Sequence, residues 1–170
     1  MPTLISRDEA LRRITRDARS PPCLMCAIAE RKAGPVHVVH EDHEILVMLP
    51  GYVRRWGHVM VMPKAHVVDY DSACPELWAR TSRLAHQAAR MVERIQRPRR
   101  CYLASTGSNN DSGELTQSSR HLHIHVIPIY EADDRPSSVF SWSEGVYVGA
   151  PDEWAALQAA VRTEWDACGS

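Results

Sequence analysis

Apolar positions recur along this chain with two periods, and the switches between them mark its elements. Ser6-Arg7-Asp8-Glu9 places a hydroxyl three residues before a carboxylate, the pattern of a helix-opening capping box. Leu11, Ile14 and Ala18 follow at helical spacing, which predicts a short amphipathic helix over about 7–19, stopped by Pro21-Pro22. Cys23 to Arg31 reads as a second short helix with both sulfurs at one end, closed by Gly34-Pro35. From Val36 the pattern becomes β-branched and apolar. Val36 to His40 and Glu44 to Met48 read as a hairpin around Glu41-Asp42-His43, and Gly57 to Pro63 as a third strand cut by its proline. Pro75 suits the first turn of a helix running to Gln96, with Leu77, Leu84, Ala88, Met91 and Ile95 as its apolar stripe. Arg100 to Ser105 is a fourth strand, Thr106 to Ser119 a loop of Ser, Asn, Asp and Gly, and Arg120 to Pro128 a fifth strand. Residues 131–138 are polar and irregular. A final helix spans Asp152 to Ala167, with Trp154, Leu157, Val161 and Trp165 on one side.

Strands in series with short turns, flanked by helices, predict an α+β fold: an antiparallel meander of about five strands with the long helix packed across it and extra helices at both ends. A length of 170 residues fits one domain. Its expected parts are an N-terminal helical extension (1–22), a core (23–130) and a C-terminal extension (131–170). Apolar residues at 44% and charged residues at 24% are typical of a globular chain. A formal charge of -1 excludes a grossly basic nucleic-acid wrapper, and the short cluster Arg97, Arg99, Arg100 reads as a solvated helix end. No stretch reaches the roughly 20 apolar residues of a membrane span, and the charged start is unlike a secretory signal, so the expected location is the cytoplasm with no membrane partner.

Two residue types change this picture. There are nine histidines, three of them in His121-Leu122-His123-Ile124-His125-Val126-Ile127. On a strand, alternate side chains share a face, so the three imidazoles project together opposite Leu122, Ile124 and Val126. That face is a solvated strand, a metal-binding strand or a site of imidazole chemistry. Of five cysteines only Cys23 and Cys26 are close, and Cys-x2-Cys supports either metal or redox chemistry in a reducing compartment. Cys74, Cys101 and Cys168 read as ordinary small residues.

The pattern His-apolar-His-apolar-His-apolar-apolar resembles the signature of the histidine triad (HIT) family. The resemblance extends to Gln117-Ser118 ahead of the triad, to Gly57-His58-Val59-Met60-Val61-Met62-Pro63-Lys64-Ala65-His66, and to the turn at Val39-His40-Glu41-Asp42. It covers roughly residues 23–130. It implies a nucleotide hydrolase or phosphoramidase in which His123 attacks the α-phosphorus of a nucleoside phosphoramidate, adenylylated amine or dinucleoside polyphosphate, and water resolves the nucleotidyl-histidine. Neutral imidazole is a competent nucleophile near neutral pH and leaves readily once phosphorylated. The resemblance also implies that His125 contacts phosphoryl oxygens and assists the leaving group, and that Ser118, Gln117 and Asn110 bind the substrate. Similarity to the zinc-containing branch implies a structural zinc on Cys23, Cys26, His66 and His121, with no open coordination position. Family members usually dimerise, so a homodimer is expected, with the long helix and the fourth strand at its interface. A nucleotidyltransferase using the same intermediate and a non-enzymatic, zinc-stabilised nucleotide-binding protein are the alternatives.

Three departures from the pattern bear on substrate. Pro50 stands where nucleotide-binding members usually carry the Asp that holds the ribose hydroxyls, and Thr116 stands where many carry Gly. Tyr52-Val53-Arg54-Arg55-Trp56 is an unusual linker, read as an exposed loop or as a contact for an anionic or stacking ligand. His37, His40, His43 and His86 read as solvated. His58 reads as a core-strand residue making a buried hydrogen bond.

Overall fold

Period-two alternation sorts the side chains of one central sheet onto two faces, and both faces are covered. The computed structural model describes residues 1–17, 23–33, 35–105 and 120–168. Its elements in chain order are β1 (Thr3–Ile5), α1 (Arg7–Asp17), α2 (Leu24–Ala29), β2 (His37–Glu41), β3 (Ile45–Leu49), β4 (Val59–Pro63), α3 (Pro75–Gln96), β5 (Arg100–Ser105), β6 (Ile124–Ile129), α4 (Pro136–Ser141), β7 (Val146–Val148) and α5 (Pro151–Cys168). The predicted capping box opens α1, where Ser6 Oγ accepts from the Glu9 N–H at 3.2 Å. The long helix and the strand after it have the boundaries their patterns predict.

The central sheet is antiparallel with strand order β2-β3-β4-β6-β5. The first three strands form a meander. The chain then crosses through α3 to the edge strand β5, and β6 returns to fill the slot between β4 and β5. On one face, Ile45, Val47, Leu49, Val59, Val61, Ile124 and Val126 meet Ala85, Ala88, Met91 and Val92 of α3 and the stripe Trp154, Leu157, Val161, Trp165 of α5. The other face carries Leu46, Met48, Met60 and Met62 against Met25 of α2, and Ile127 and Ile129 against Val139 of α4. Helices of six residues do not form alone. Each fully buried apolar side chain contributes about 1.5–3 kcal/mol, so this packing is what holds α2 and α4.

Three findings differ from the sequence expectations. The fifth strand begins at Ile124 rather than Arg120. Ahead of it the Leu122 N–H donates to the Val67 carbonyl at 2.6 Å and the His121 ring reaches the Pro63 carbonyl, which draws 121–123 away from the ladder. Residues 136–138, read as irregular, open α4. A second, two-stranded sheet joins β1 to β7, and an isolated bridge ties Val53 to Tyr147. Strands of three residues carry no readable period. Gly145 makes this sheet possible: its φ is +87°, and a Cβ there would meet the Ile5 carbonyl oxygen at 2.3 Å. Among the described residues no helix is long and apolar enough to cross a membrane.

Candidate functional site

The second sheet face carries a chain of buried imidazoles. Met60 pairs with His125 in the β4–β6 register, which puts His58, two residues before Met60, diagonally across from His125 on the same face. His58, His121, His123 and His125 are all buried. A carbonyl oxygen only accepts, and this fixes the protons along the chain. His123 Nδ1–H donates to the His121 carbonyl at 2.7 Å, so in the neutral ring Nε2 is bare. His125 Nε2 lies 3.0 Å from that nitrogen and must donate to it, which leaves His125 Nδ1 bare. His58 Nε2 lies 3.0 Å from His125 Nδ1 and donates in turn. The free end is His58 Nδ1, which is buried and has no hydrogen-bond partner among the described residues. Burial, reinforced by the positive charge of Arg54, holds His58 well below the usual imidazole range. Burial does the same to His125, and it lowers His123. The relay is therefore neutral at pH 7, and His123 Nε2 keeps the lone pair that a nucleophile needs.

The second cluster adjoins the first through His121. Its Nε2–H donates to the Pro63 carbonyl at 2.7 Å, which turns Nδ1 toward two sulfurs. Nδ1 lies 3.5 Å from Cys23 Sγ and 3.5 Å from Cys26 Sγ, and His66 Nδ1 lies 3.3 Å from Cys26 Sγ. One ligand atom from each of Cys23, Cys26, His66 and His121 falls within 4.8 Å of every other, so the four can hold a metal ion. Cys23 caps α2, its sulfur accepting from the Cys26 N–H. Burial pushes the Cys23 thiol up, but hydrogen bonds from His121 and from the Cys26 backbone outweigh it and bring it down to about 6. Burial and the neighbouring Cys23 sulfur push Cys26 up to about 11. Without a cation, the pair keeps one thiolate rather than two.

The structure thus brings together His121, His123 and His125, and Cys23, Cys26 and His66. Ser118, Gln117 and Asn110 lie outside the described residues. His58 is the site residue whose role the sequence understated; the signal was its phase on the third strand, two residues from the partner of a triad histidine. Other readings are corrected. His37 stacks on Trp154 with centroids 4.9 Å apart, and His40 on Trp165 at 5.1 Å, so neither is simply solvated. The Tyr52–Trp56 linker is not an exposed loop, because Arg54 and Arg55 are each only 9% exposed. Asp42 and Glu44, the acids that precede Pro50 in sequence, are already engaged: Asp42 Oδ1 accepts the N–H groups of Glu44 and Ile45 at 2.8 Å each, and Arg80 pairs with both Asp42 and Glu44.

The fold that carries the imidazole relay and the Cys/His cluster has known relatives. The HIT domain family matches residues 31–132, and this chain belongs to that family. An uncharacterised HIT-like protein of Mycobacterium tuberculosis is 30% identical over 112 residues, 66% of this chain and 74% of that protein. The protein named hit of Bacillus subtilis is 33% identical over 117 residues, 66% of this chain and 74% of its own. Among solved structures, a hypothetical histidine triad nucleotide-binding protein of Sulfolobus tokodaii superposes with a TM-score of 0.67 at 23% identity, over 85% of this chain and 93% of that one. A Zn-bound histidine triad family protein of Mycobacterium smegmatis gives 0.63 at 23% identity, over 87% and 96%. At these identities the structural likeness establishes the shared HIT fold.

Proposed function

We propose that this protein is a nucleotide phosphoramidase or hydrolase acting at the α-phosphorus through a nucleotidyl-His123 intermediate. The observation that carries this reading is the proton arrangement of the relay, which leaves His123 Nε2 bare and places a donor, His125 Nε2–H, 3.0 Å from it. In the first step the His123 Nε2 lone pair forms an N–P bond while the bond from phosphorus to the leaving amine or phosphate breaks. The leaving group departs with that electron pair and takes its proton from solvent, while the His125 Nε2–H, released from His123 Nε2 as the N–P bond forms, donates a hydrogen bond to it. In the second step water attacks phosphorus and loses its proton to solvent, and the N–P bond breaks, returning the electron pair to His123 Nε2 and releasing the nucleoside monophosphate. Splitting one displacement in two lowers the barrier of each. His125 supports hydrolysis because an imidazole can donate to a leaving group. On the family pattern, Ser118, Gln117 and Asn110 are assigned to the substrate.

We assign a structural zinc to the Cys/His cluster, and with it this chain to the zinc-containing branch of the family. A tetrahedral ion with Zn–S near 2.3 Å and Zn–N near 2.0–2.1 Å sets S···N edges of about 3.5 Å. The three S···N separations of 3.3–3.5 Å fit that geometry. Four protein ligands leave no position for substrate, and when bound the ion supplies rigidity. His121 is a ligand and its carbonyl holds His123, so the cluster braces the nucleophile. Residues 23–130 form the working core of a single unit in this reading. A homodimer through α3 and the edge strand β5, where Leu103 is 49% exposed, is part of the same proposal, as is a cytoplasmic location.

The test is turnover of a panel of nucleoside phosphoramidates, adenylylated amines and dinucleoside polyphosphates. Hydrolysis abolished by His123→Ala supports the reading. Product that forms only when a phosphate or sugar phosphate acceptor is present assigns a transferase. Binding without turnover of any panel member contradicts both.

A further inference from the structure

Two adjacent arginines of the β3–β4 linker share the same burial and have opposite surroundings. Arg55 is paired with carboxylates: Nε donates to Asp134 at 3.1 Å and a terminal nitrogen to Glu144 at 2.8 Å. Arg54 has no carboxylate partner among the described residues, and its Nε is buried with no hydrogen-bond partner there. Its guanidinium carbon lies over the rings of Phe140 at 5.7 Å and Trp142 at 5.5 Å. Two ring faces offset part of the cost of burying a cation, and they offer no hydrogen-bond acceptor.

The surroundings fix this side chain in place. Before it, Val53 exchanges two backbone hydrogen bonds with Tyr147, at 3.1 and 2.8 Å. After it, Arg55 is anchored on Asp134 and Glu144. Trp142 reaches the guanidinium from a left-handed backbone with φ of 60°, a conformation that bulky residues rarely adopt. The linker leads straight into the relay, where the His58 N–H donates to the Arg55 carbonyl at 3.1 Å, and the charge of Arg54 acts on the rings of His58 and His125. Burial lowers Arg54 to about 10, so it is still cationic at neutral pH.

We propose that Arg54 is an anion-binding residue of the histidine site, a preorganised cation that receives the phosphoryl oxygens of the substrate. The proposal rests on the reading of that site as a phosphate site. A phosphate monoester or diester supplies the acceptor and the opposite charge that Arg54 lacks among the described residues. A donor fixed before the substrate arrives needs no reorganisation when charge develops. The linker differs from its neighbours in this respect: Arg55 ties down the C-terminal segment, and Arg54 is left for the ligand.

The test measures binding of AMP, inorganic phosphate and adenosine to wild type, Arg54→Met and Arg54→Lys, together with melting temperature. The expected result for Arg54→Met is a loss of about 10- to 100-fold in affinity for AMP and for phosphate, with adenosine affinity unchanged. Its melting temperature holds or rises, because an uncompensated buried charge is gone. Arg54→Lys, a point charge in place of a fork, loses roughly three- to tenfold. Wild-type affinity for AMP and phosphate in Arg54→Met overturns the proposal. So does a parallel loss of adenosine with a lower melting temperature, which marks Arg54 as packing alone. If Arg54→Met does not fold, Arg54→Lys decides: a phosphate-dependent rise in melting temperature smaller than that of wild type supports the proposal, and an equal rise, or none in wild type, overturns it. Binding through Arg54 without turnover of any phosphoramidate defeats the hydrolase reading and leaves this one standing. Turnover and binding unaffected in Arg54→Met do the reverse.

Discussion

His58 Nε2 lies 3.0 Å from His125 Nδ1, and this contact closes the buried end of the imidazole relay. It holds His125 in the tautomer whose Nε2–H faces His123. His58 therefore acts through His125 rather than on the substrate. His58→Phe should lower kcat by about 10- to 100-fold, the usual cost of removing a group that orients a reacting one, with little change in KM. Steady-state kinetics on a fluorogenic nucleoside phosphoramidate check this. A change of less than about twofold would reduce His58 to packing.

The relay also sets a pH dependence. Burial holds His58 and His125 well below the usual imidazole range and lowers His123. A lowered pKa means the neutral, nucleophilic form persists as pH falls. The acid limb of the kcat/KM profile should thus lie below the ordinary His value of about 6.5. A half-maximal point at or above 6.5 would contradict the neutral relay.

Purified protein should contain about one zinc per chain, as a closed four-ligand site requires. Cys23→Ser should lose metal and melt at a lower temperature, since metal binding to such sites is coupled to folding. With Cys23 near 6 and Cys26 near 11 in the metal-free protein, uptake at pH 7.5 should release about one proton from the cysteine pair, chiefly from Cys26. Calorimetry in buffers of different ionisation enthalpy reads that proton. Unchanged metal content and melting temperature in Cys23→Ser would remove the site.

Arg55 holds the C-terminal segment to the β3–β4 linker. Its side chain is 11% exposed and that of Asp134 is 8% exposed, so the pair is shielded from screening. Asp134→Asn should destabilise the fold by about 2–3 kcal/mol in urea unfolding. Arg55 holds the Asp134 carboxyl below the usual carboxylate range. A depressed folded-state pKa gives stability that is complete above about pH 4 and is lost as pH falls further, through the folded-state value. The wild-type advantage over Asp134→Asn should shrink over that acidic window and not between pH 6 and 8.

How much of this was legible in the sequence depends on how far apart the interacting residues lie. Pro75–Gln96 and Arg100–Ser105 were readable to the residue because local period and a helix-opening proline determine them. The start of β6 was not readable, since it depends on Val67 and on Pro63, which lies 58 residues before His121. The burial of Arg55 depends on partners 79 and 89 residues away, which no local pattern reveals. The four Cys/His residues were grouped by family resemblance, not by spacing, because Cys23 and His121 are 98 residues apart. Alternation did place His123 and His125 on a shared face. It did not show that this face is as buried as the other, because the short α2 and α4 that cover it are held there by tertiary packing.

The most direct test of the central claim is rapid alkaline quenching of wild type with a nucleoside phosphoramidate, which preserves a histidine N–P bond, followed by mass analysis at alkaline pH of the peptide that contains His121, His123 and His125. One nucleotidyl group on His123, present in wild type and absent in His123→Ala, is the predicted result. Turnover with no adduct at early times, or an adduct on another residue, would contradict it.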